Sequence, residues 1–386
     1  MNKNYILILL LMAICCNVSG KVKTGADKID EYIALLNGKR VGVIVNQTSV
    51  IENGSHLVDT LLKLGVNITT IFAPEHGFRG NADAGETISN GVDKKSGLPI
   101  ISLYGKNKKP TKEQLAKTDI LLFDIQDVGA RFYTYISTMY YAMQAAARDG
   151  VGFIVLDRPN PNDFVDGPVI DESLFSFVGA MPLPIVHGLT VGELATMIKG
   201  ENWGGTKNLN LKVITVEGWR HGVPYHLSIK PSPNLPNDRS VAFYPSICLF
   251  ESTIISVGRG TVMPFQVIGA PDKKLGSFSF SPTSLDGFDK NPMHNGKTCY
   301  GRDLRREAYP KGFSLSYLID MYRLSKTGDS FFSSPSFFDK LSGDTMLRQE
   351  ILKGKNEKEI RSRWNTKLNA YKDLRKHYLL YPDYVQ

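Results

Sequence analysis

From Gly38 onward the chain alternates two kinds of hydrophobic pattern. Short apolar, β-branched runs at 41–45, 66–71, 98–103, 120–123, 152–156 and 211–216 read as buried strands. Between them, apolar residues recur at helical spacing over 56–64 (Val58, Leu61, Leu62, Leu64), 111–117, 137–148 and 191–199. Strands that are continuously apolar are buried on both faces, and a regular strand–helix succession needs crossover connections. The pattern therefore predicts an α/β domain with a doubly wound, mostly parallel sheet covered by helices on both sides.

The alternation stops at 224–237, where PYHLSIKPSPNLPN carries four prolines and several turn formers. The boundary is placed there, giving a first domain over 21–230 and a smaller α+β domain over 231–386, with a charged helical end from Ser314 onward. No internal repeat or low-complexity segment is present.

The first twenty residues have a different pattern. Lys3 precedes an apolar stretch over 5–14, followed by the small residues Ser19 and Gly20. That is the layout of a secretory signal peptide, too short to span a bilayer, with cleavage expected after Gly20. The expected location is therefore periplasmic or secreted. The adjacent Cys15 and Cys16 offer an alternative in which the mature chain is a lipoprotein, and membrane attachment is expected only if one of them is lipidated. Beyond residue 20 only Cys248 and Cys299 remain, as one disulfide or two buried thiols.

Composition narrows the partners. With 386 residues, 42% hydrophobic and 22% charged, the chain can build a large core without covalent staples. Its net charge of +8 comes from scattered lysines, which suit an anionic partner such as a cell-wall polymer or a phospholipid surface, or serve solubility alone. No Lys/Arg run marks a nucleic-acid site, and export argues against that partner.

Candidate chemistry follows from the sheet. In open parallel sheets, ligands bind outside the carboxyl ends of the strands. The first strand is followed by Asn46-Gln47-Thr48, and the second by FAPEHGFRG with Glu75, His76 and Arg79. Asp124, Gln126 and Asp127 follow the strand at 120–123, and Asp157-Arg158 the strand at 152–156. Some of these serve structure equally well, Asp124 by tying down the loop at 127–131 and Asp157-Arg158 as an ion pair beside a rigid turn. Glu75 is different, because Pro74 fixes the chain before it and Gly77 and Gly80 permit a tight turn after it.

Several familiar chemistries are absent. No G-x-G-x-x-G follows the first strand and the chain has no P-loop, so no nucleotide cofactor is expected, and the absence of G-x-S-x-G removes the nucleophile-elbow hydrolases. A metal-dependent hydrolase on Asp124, Asp127, Asp157 and His76 is an alternative, but no tight histidine cluster supports it and no metal is expected. A deep, acid-lined cleft with many aromatics suits glycosidic hydrolysis, in which one carboxylic acid protonates the leaving oxygen. An exported protein that holds a cell-wall sugar or peptide without turnover is the rival, although a binder does not need a rigidly framed carboxyl.

Nine blocks occur in one order: FAPEHGFRG, GLPIISLYG, DILLFDIQDVGARFYTYISTM, VLDRPNP, GPVID, HGLTVGELA, SPNLP, YPSICLFE and GRGTVMPFQVIGAP. Together they resemble the bacterial exo-β-N-acetylmuramidases related to NamZ, over about residues 38–271 and more thinly to the end of the chain. The resemblance implies a Rossmann-like domain, an auxiliary C-terminal domain that closes the active cleft, and release of N-acetylmuramic acid from the non-reducing ends of peptidoglycan fragments. It puts the catalytic glutamate on Glu75, with Glu86 as second candidate. His76, Asp127 and Arg131 are then expected to orient Glu75 or contact the sugar. Arg79 or Arg259 is expected to pair with the lactyl carboxylate of muramic acid. Asn46, Gln47, Asp157, Arg158, His187 and Glu251 complete the expected substrate-binding set.

Overall fold

A computed structural model describes residues 21–79, 90–286 and 288–384. Glu86, Gly80, Cys15, Cys16 and the expected leader lie outside the described residues. The first lobe begins with helix α1 (Ile29–Leu36) and is organised around seven strands: β1 (Val41–Val45), β2 (Ile68–Ala73), β3 (Gly91–Val92), β4 (Pro99–Ser102), β5 (Ile120–Asp124), β6 (Gly152–Leu156) and β9 (Leu211–Ile214). Their order across the sheet is β3-β4-β2-β1-β5-β6-β9. All neighbours run parallel except the edge pair β3–β4. The six apolar runs each yield a strand of this sheet. Strand β3 has no such signature, being two exposed residues placed by pairing with β4.

Helices α2 (Leu57–Lys63), α3 (Lys112–Leu115), α4 (Tyr135–Asp149) and α5 (Val191–Gly200) form the crossovers. Local sequence sets their starts: Thr190 and Glu193 exchange the reciprocal hydrogen bonds of a capping box at the head of α5, and Gly150 ends α4 in the left-handed conformation. A two-stranded hairpin, β7 (Val165–Asp166) and β8 (Val186–His187), lies between β6 and α5.

The second lobe opens with α6 (Asp238–Ile247) and contains a small antiparallel sheet of β10 (Val267–Ala270), β11 (Phe278–Phe280) and β12 (Cys299–Asp303) in the order β10-β12-β11. Five helices follow: α7 (Ser316–Ser325), α8 (Pro335–Ser342), α9 (Thr345–Leu352), α10 (Glu357–Ser362) and α11 (Asn365–Lys376). The core does not respect the division into lobes. One apolar cluster runs from Ile44, Phe72 and Phe123 through Met139 and Ala142 to Phe243, Phe265, Phe331 and Phe338. A second, including Val43, Leu61, Ile71 and Leu122, fills the other face of the sheet.

The end of the chain also departs from the expected division. Tyr371 donates to the carbonyl of His187 at 2.7 Å, Arg375 to that of Gly188 at 2.7 Å, and the Tyr381 hydroxyl to Asp157 at 2.5 Å. The last helix and tail thus pack on the first lobe, although they follow the second in sequence. Cys248 and Cys299 are both buried and free, Cys248 behind α6 and Cys299 in the small sheet.

Candidate active site

Glu75 is aimed by backbone geometry. It follows β2 and Pro74, and the next two residues, His76 (φ 67) and Gly77 (φ 78), take the left-handed conformation. The Gly77 amide closes the turn on the Pro74 carbonyl at 3.0 Å. A buried histidine with positive φ is uncommon and is held only where its surroundings demand it. Sheet register brings the first neighbour of Glu75. Ala73 of β2 pairs with Ser102 of β4, and Leu103 continues the ladder with a 2.8 Å bond to the Ala73 carbonyl. Glu75 and Tyr104 thus stand two residues beyond a paired position on adjacent strands. Burial, followed by the Glu75 charge, pushes the Tyr104 hydroxyl above its ordinary pKa. From the head of α4, Thr134 donates its hydroxyl to Glu75 Oε2 at 2.6 Å.

These groups border a cavity of about 610 Å³ walled by both lobes. The first lobe contributes Glu75, His76, Tyr104, Lys108, Tyr133, Thr134 and Phe177, and the second Tyr244, Glu251, Arg259, Phe265 and Asp289. Arg259 is held firmly. It lies between Gly258 (φ 81) and Gly260 (φ 73), where a side chain would meet the Met263 carbonyl or Pro292. Its Nε donates to Glu251 Oε1 at 2.5 Å and its guanidinium sits 5.1 Å from the Phe265 ring centroid. Burial works against the charge, but Glu251 more than offsets this, so the guanidinium titrates above its ordinary range. Arg259 Nη1 has no acceptor among the described residues.

Residues 41–239 match the family model "Exo-beta-N-acetylmuramidase NamZ, N-terminal", and residues 242–381 match its C-terminal counterpart. This chain belongs to the NamZ exo-β-N-acetylmuramidase family. A relative of that name, the peptidoglycan beta-N-acetylmuramidase NamZ of Bacillus subtilis strain 168, is 39% identical, with 94% of this chain and 92% of the relative covered. Two crystal structures of DUF1343 family proteins from Bacteroides fragilis NCTC 9343 share the fold. One has a TM-score of 0.86 at 43% identity, covering 95% of this chain and all of the other, and the second has 0.78 at 30%, covering 94% and 99%. The NamZ family models meet between residues 239 and 242, at the head of α6, several residues beyond the boundary expected at 230.

Within this NamZ-family framework, the expected site residues separate into two groups. Glu75, His76, Glu251 and Arg259 line the cavity. The other described ones are engaged elsewhere. Arg131 is fully buried, donating to the carbonyls of Pro168 and Leu183 and, across the lobes, to that of Leu341 at 2.8 Å; burial lowers its pKa to about 9. Arg158 grips Asp124 with two bonds of 2.6 and 2.9 Å and borders a separate cavity of about 510 Å³. Asp157 accepts from Thr190, Gly192 and Tyr381, and burial raises its pKa to about 7. Asp127 accepts from the Gly129 amide and faces His187 Nε2 at 3.2 Å. Asn46 caps its own loop through Thr48, and Gln47 donates to the Pro231 carbonyl at 2.8 Å. Arg79 makes a two-pronged bond to Asp93, both contacts 3.0 Å, with its guanidinium 4.2 Å from the Phe78 ring centroid.

The metal alternative required Asp124, Asp127, Asp157 and His76 to converge. The three aspartates instead take separate protein partners, and the described residues hold no group of three or more His, Cys, Asp or Glu side chains suited to a metal ion. Tyr104, Thr134, Asn234 and Asp289 were missed by sequence reasoning. The position of Tyr104 just past a strand was a usable signal, whereas Asn234 and Asp289 reach the cavity through irregular chain.

Proposed function

We propose that this protein is an exo-acting glycoside hydrolase that releases N-acetylmuramic acid from the non-reducing ends of peptidoglycan fragments, with Glu75 as its general acid. The observation that carries the reading is a carboxyl fixed by a left-handed turn at a strand end, opening into a cavity walled by both lobes of a NamZ-family fold. Thr134 holds one carboxyl oxygen and the Tyr104 hydroxyl lies alongside, so Glu75 has a defined direction from which to protonate the glycosidic oxygen. The oxocarbenium-like centre left at the anomeric carbon is then taken by water or by the substrate's own acetamido oxygen. Arg259, with one nitrogen on Glu251 and another without an acceptor among the described residues, is suited to the lactyl carboxylate that distinguishes muramic acid from glucosamine.

Incubation of the purified protein with the muramic acid-glucosamine disaccharide tests the reading. Free N-acetylmuramic acid is the expected product, and an intact disaccharide overturns it. A tightly bound but intact disaccharide favours the rival, a binding protein without turnover. We also place the reaction outside the cytoplasm, on the strength of the leader pattern of residues 1–20. Mass spectrometry of the exported chain is expected to find Lys21 at its start, and a lipid-modified cysteine there would overturn that cleavage site.

A further inference from the structure

The block SPNLP contributes Asn234, a residue without a task in the reaction so far described. Asn234 is 2% exposed and lines the cavity that holds Glu75. Its Nδ2 donates to the carbonyl of Phe288 at 2.8 Å, which fixes which end of the amide is oxygen. That oxygen, Oδ1, is buried and no described residue donates to it. The strap carrying Asn234 is held by protein bonds alone, from Gln47 to the Pro231 carbonyl and from the Leu235 amide to the Ser232 carbonyl at 3.1 Å. A rigid, buried acceptor without a donor is costly, and its natural explanation is a ligand donor.

The surroundings narrow that donor. Phe132, Tyr133, Tyr244 and Phe265 line the same cavity and meet edge to face, with Phe132 and Phe265 at 5.2 and 4.9 Å from the Tyr244 ring. An acceptor that shares a cavity with an aromatic wall suits a group that donates from nitrogen and carries a methyl. A sugar hydroxyl both donates and accepts and brings no methyl, so it uses only half of this arrangement. We propose that Asn234 Oδ1 accepts the N–H of the substrate's 2-acetamido group while the aromatic wall takes the acetyl methyl, making Asn234 the residue that selects N-acetylated sugars. The assignment rests on the glycosidase reading and adds to it the origin of selectivity at C2 of the sugar.

The test compares binding of free N-acetylmuramic acid with that of its analogue lacking any substituent at C2, by calorimetry on the mature chain. Wild-type protein is expected to prefer the N-acetyl sugar, and Asn234→Ala to reduce that preference by roughly tenfold while binding of the 2-deoxy analogue stays within about twofold. Asn234→Asp keeps an acceptor oxygen but loses the bond to Phe288, and is expected to retain the preference. Equal weakening of both ligands by Asn234→Ala, or loss of the preference in Asn234→Asp, shows that the bond to Phe288 was the whole role and overturns the proposal. An unchanged preference in Asn234→Ala overturns it as well. Failure of the wild-type protein to cleave the disaccharide counts against the glycosidase reading, whereas cleavage with preference intact in Asn234→Ala counts against Asn234 alone.

Discussion

Acidic residues leave the sheet at the ends of β2, β5 and β6, yet the first differs in kind from the other two. Asp124 is fully buried against Arg158, and Asp157 is fully buried among a hydroxyl, a phenol and a backbone amide. Glu75 is partly exposed, bonded to the neutral hydroxyl of Thr134 and open to a cavity. The difference teaches that a strand-end carboxylate is a candidate for chemistry only where its partners leave it accessible. Where a guanidinium or a ring of donors encloses it, the same placement is used to lock loops onto the sheet.

The sharpest way to break this comparison is to neutralise one member of each kind. Glu75→Gln is expected to lower kcat on a chromogenic muramide by about 10²–10⁴-fold, the usual range for a general acid, with little change in melting temperature. Near-full turnover in that variant would remove Glu75 from the mechanism. Asp124→Asn, which strips a buried guanidinium of its counter-charge, is expected to cost about 3–5 kcal/mol of stability while the molecules that remain folded keep their kcat. Denaturant titration and active-site-normalised kinetics together check both halves.

A smaller effect should appear with pH. His221 lies between Asp163 at 2.6 Å and Glu193 at 2.9 Å; burial opposes its charge, but the two carboxylates prevail and raise its pKa to about 9. A raised pKa means that the stabilisation is complete below the ordinary histidine value and is lost as pH rises through about 9. Asp157, raised to about 7 by burial, acts in the same direction, its contribution already lost above that pH. Melting temperature is therefore expected to fall between about pH 6.5 and 9, and His221→Gln to flatten that fall. A flat wild-type profile over this range would show that the charged cluster does not tighten the fold. The smallest effect is expected from Arg79→Ala, since its partly exposed pair with Asp93 lies outside the cavity: under about 1 kcal/mol in stability and no change in kcat/KM. A large rise in KM would return Arg79 to the substrate.

Much of the fold was legible because it rests on local periodicity. Continuous apolar runs identified six strands of the main sheet and helical spacing its crossovers, and both signals arise from burial on two faces or one. The tail was not legible in this way. Arg375 and Tyr381 carry no mark that they return to Gly188 and Asp157, residues nearly two hundred positions or more away in the chain. The candidate site was half legible for the same reason. Pro74, Gly77 and the left-handed turn between them are written into PEHG, whereas nothing near Arg131 indicates that its guanidinium closes on carbonyls of the hairpin region and of α8.

By itself, then, the sequence determined the layered α/β architecture, the strand-end position and stiff frame of Glu75 and, through nine ordered blocks, the family. Those are properties of short stretches: backbone preference, apolar spacing and motif order. Only the tertiary structure decided which polar groups are spent on one another. Whether Arg158 meets Asp124, Arg259 meets Glu251, or the Asn234 oxygen is left without a donor among the described residues depends on residues brought together from distant parts of the chain. Burial makes an unpaired charge or amide costly, so it is this long-range pairing that separates the groups left to act on a substrate from those that hold the molecule together.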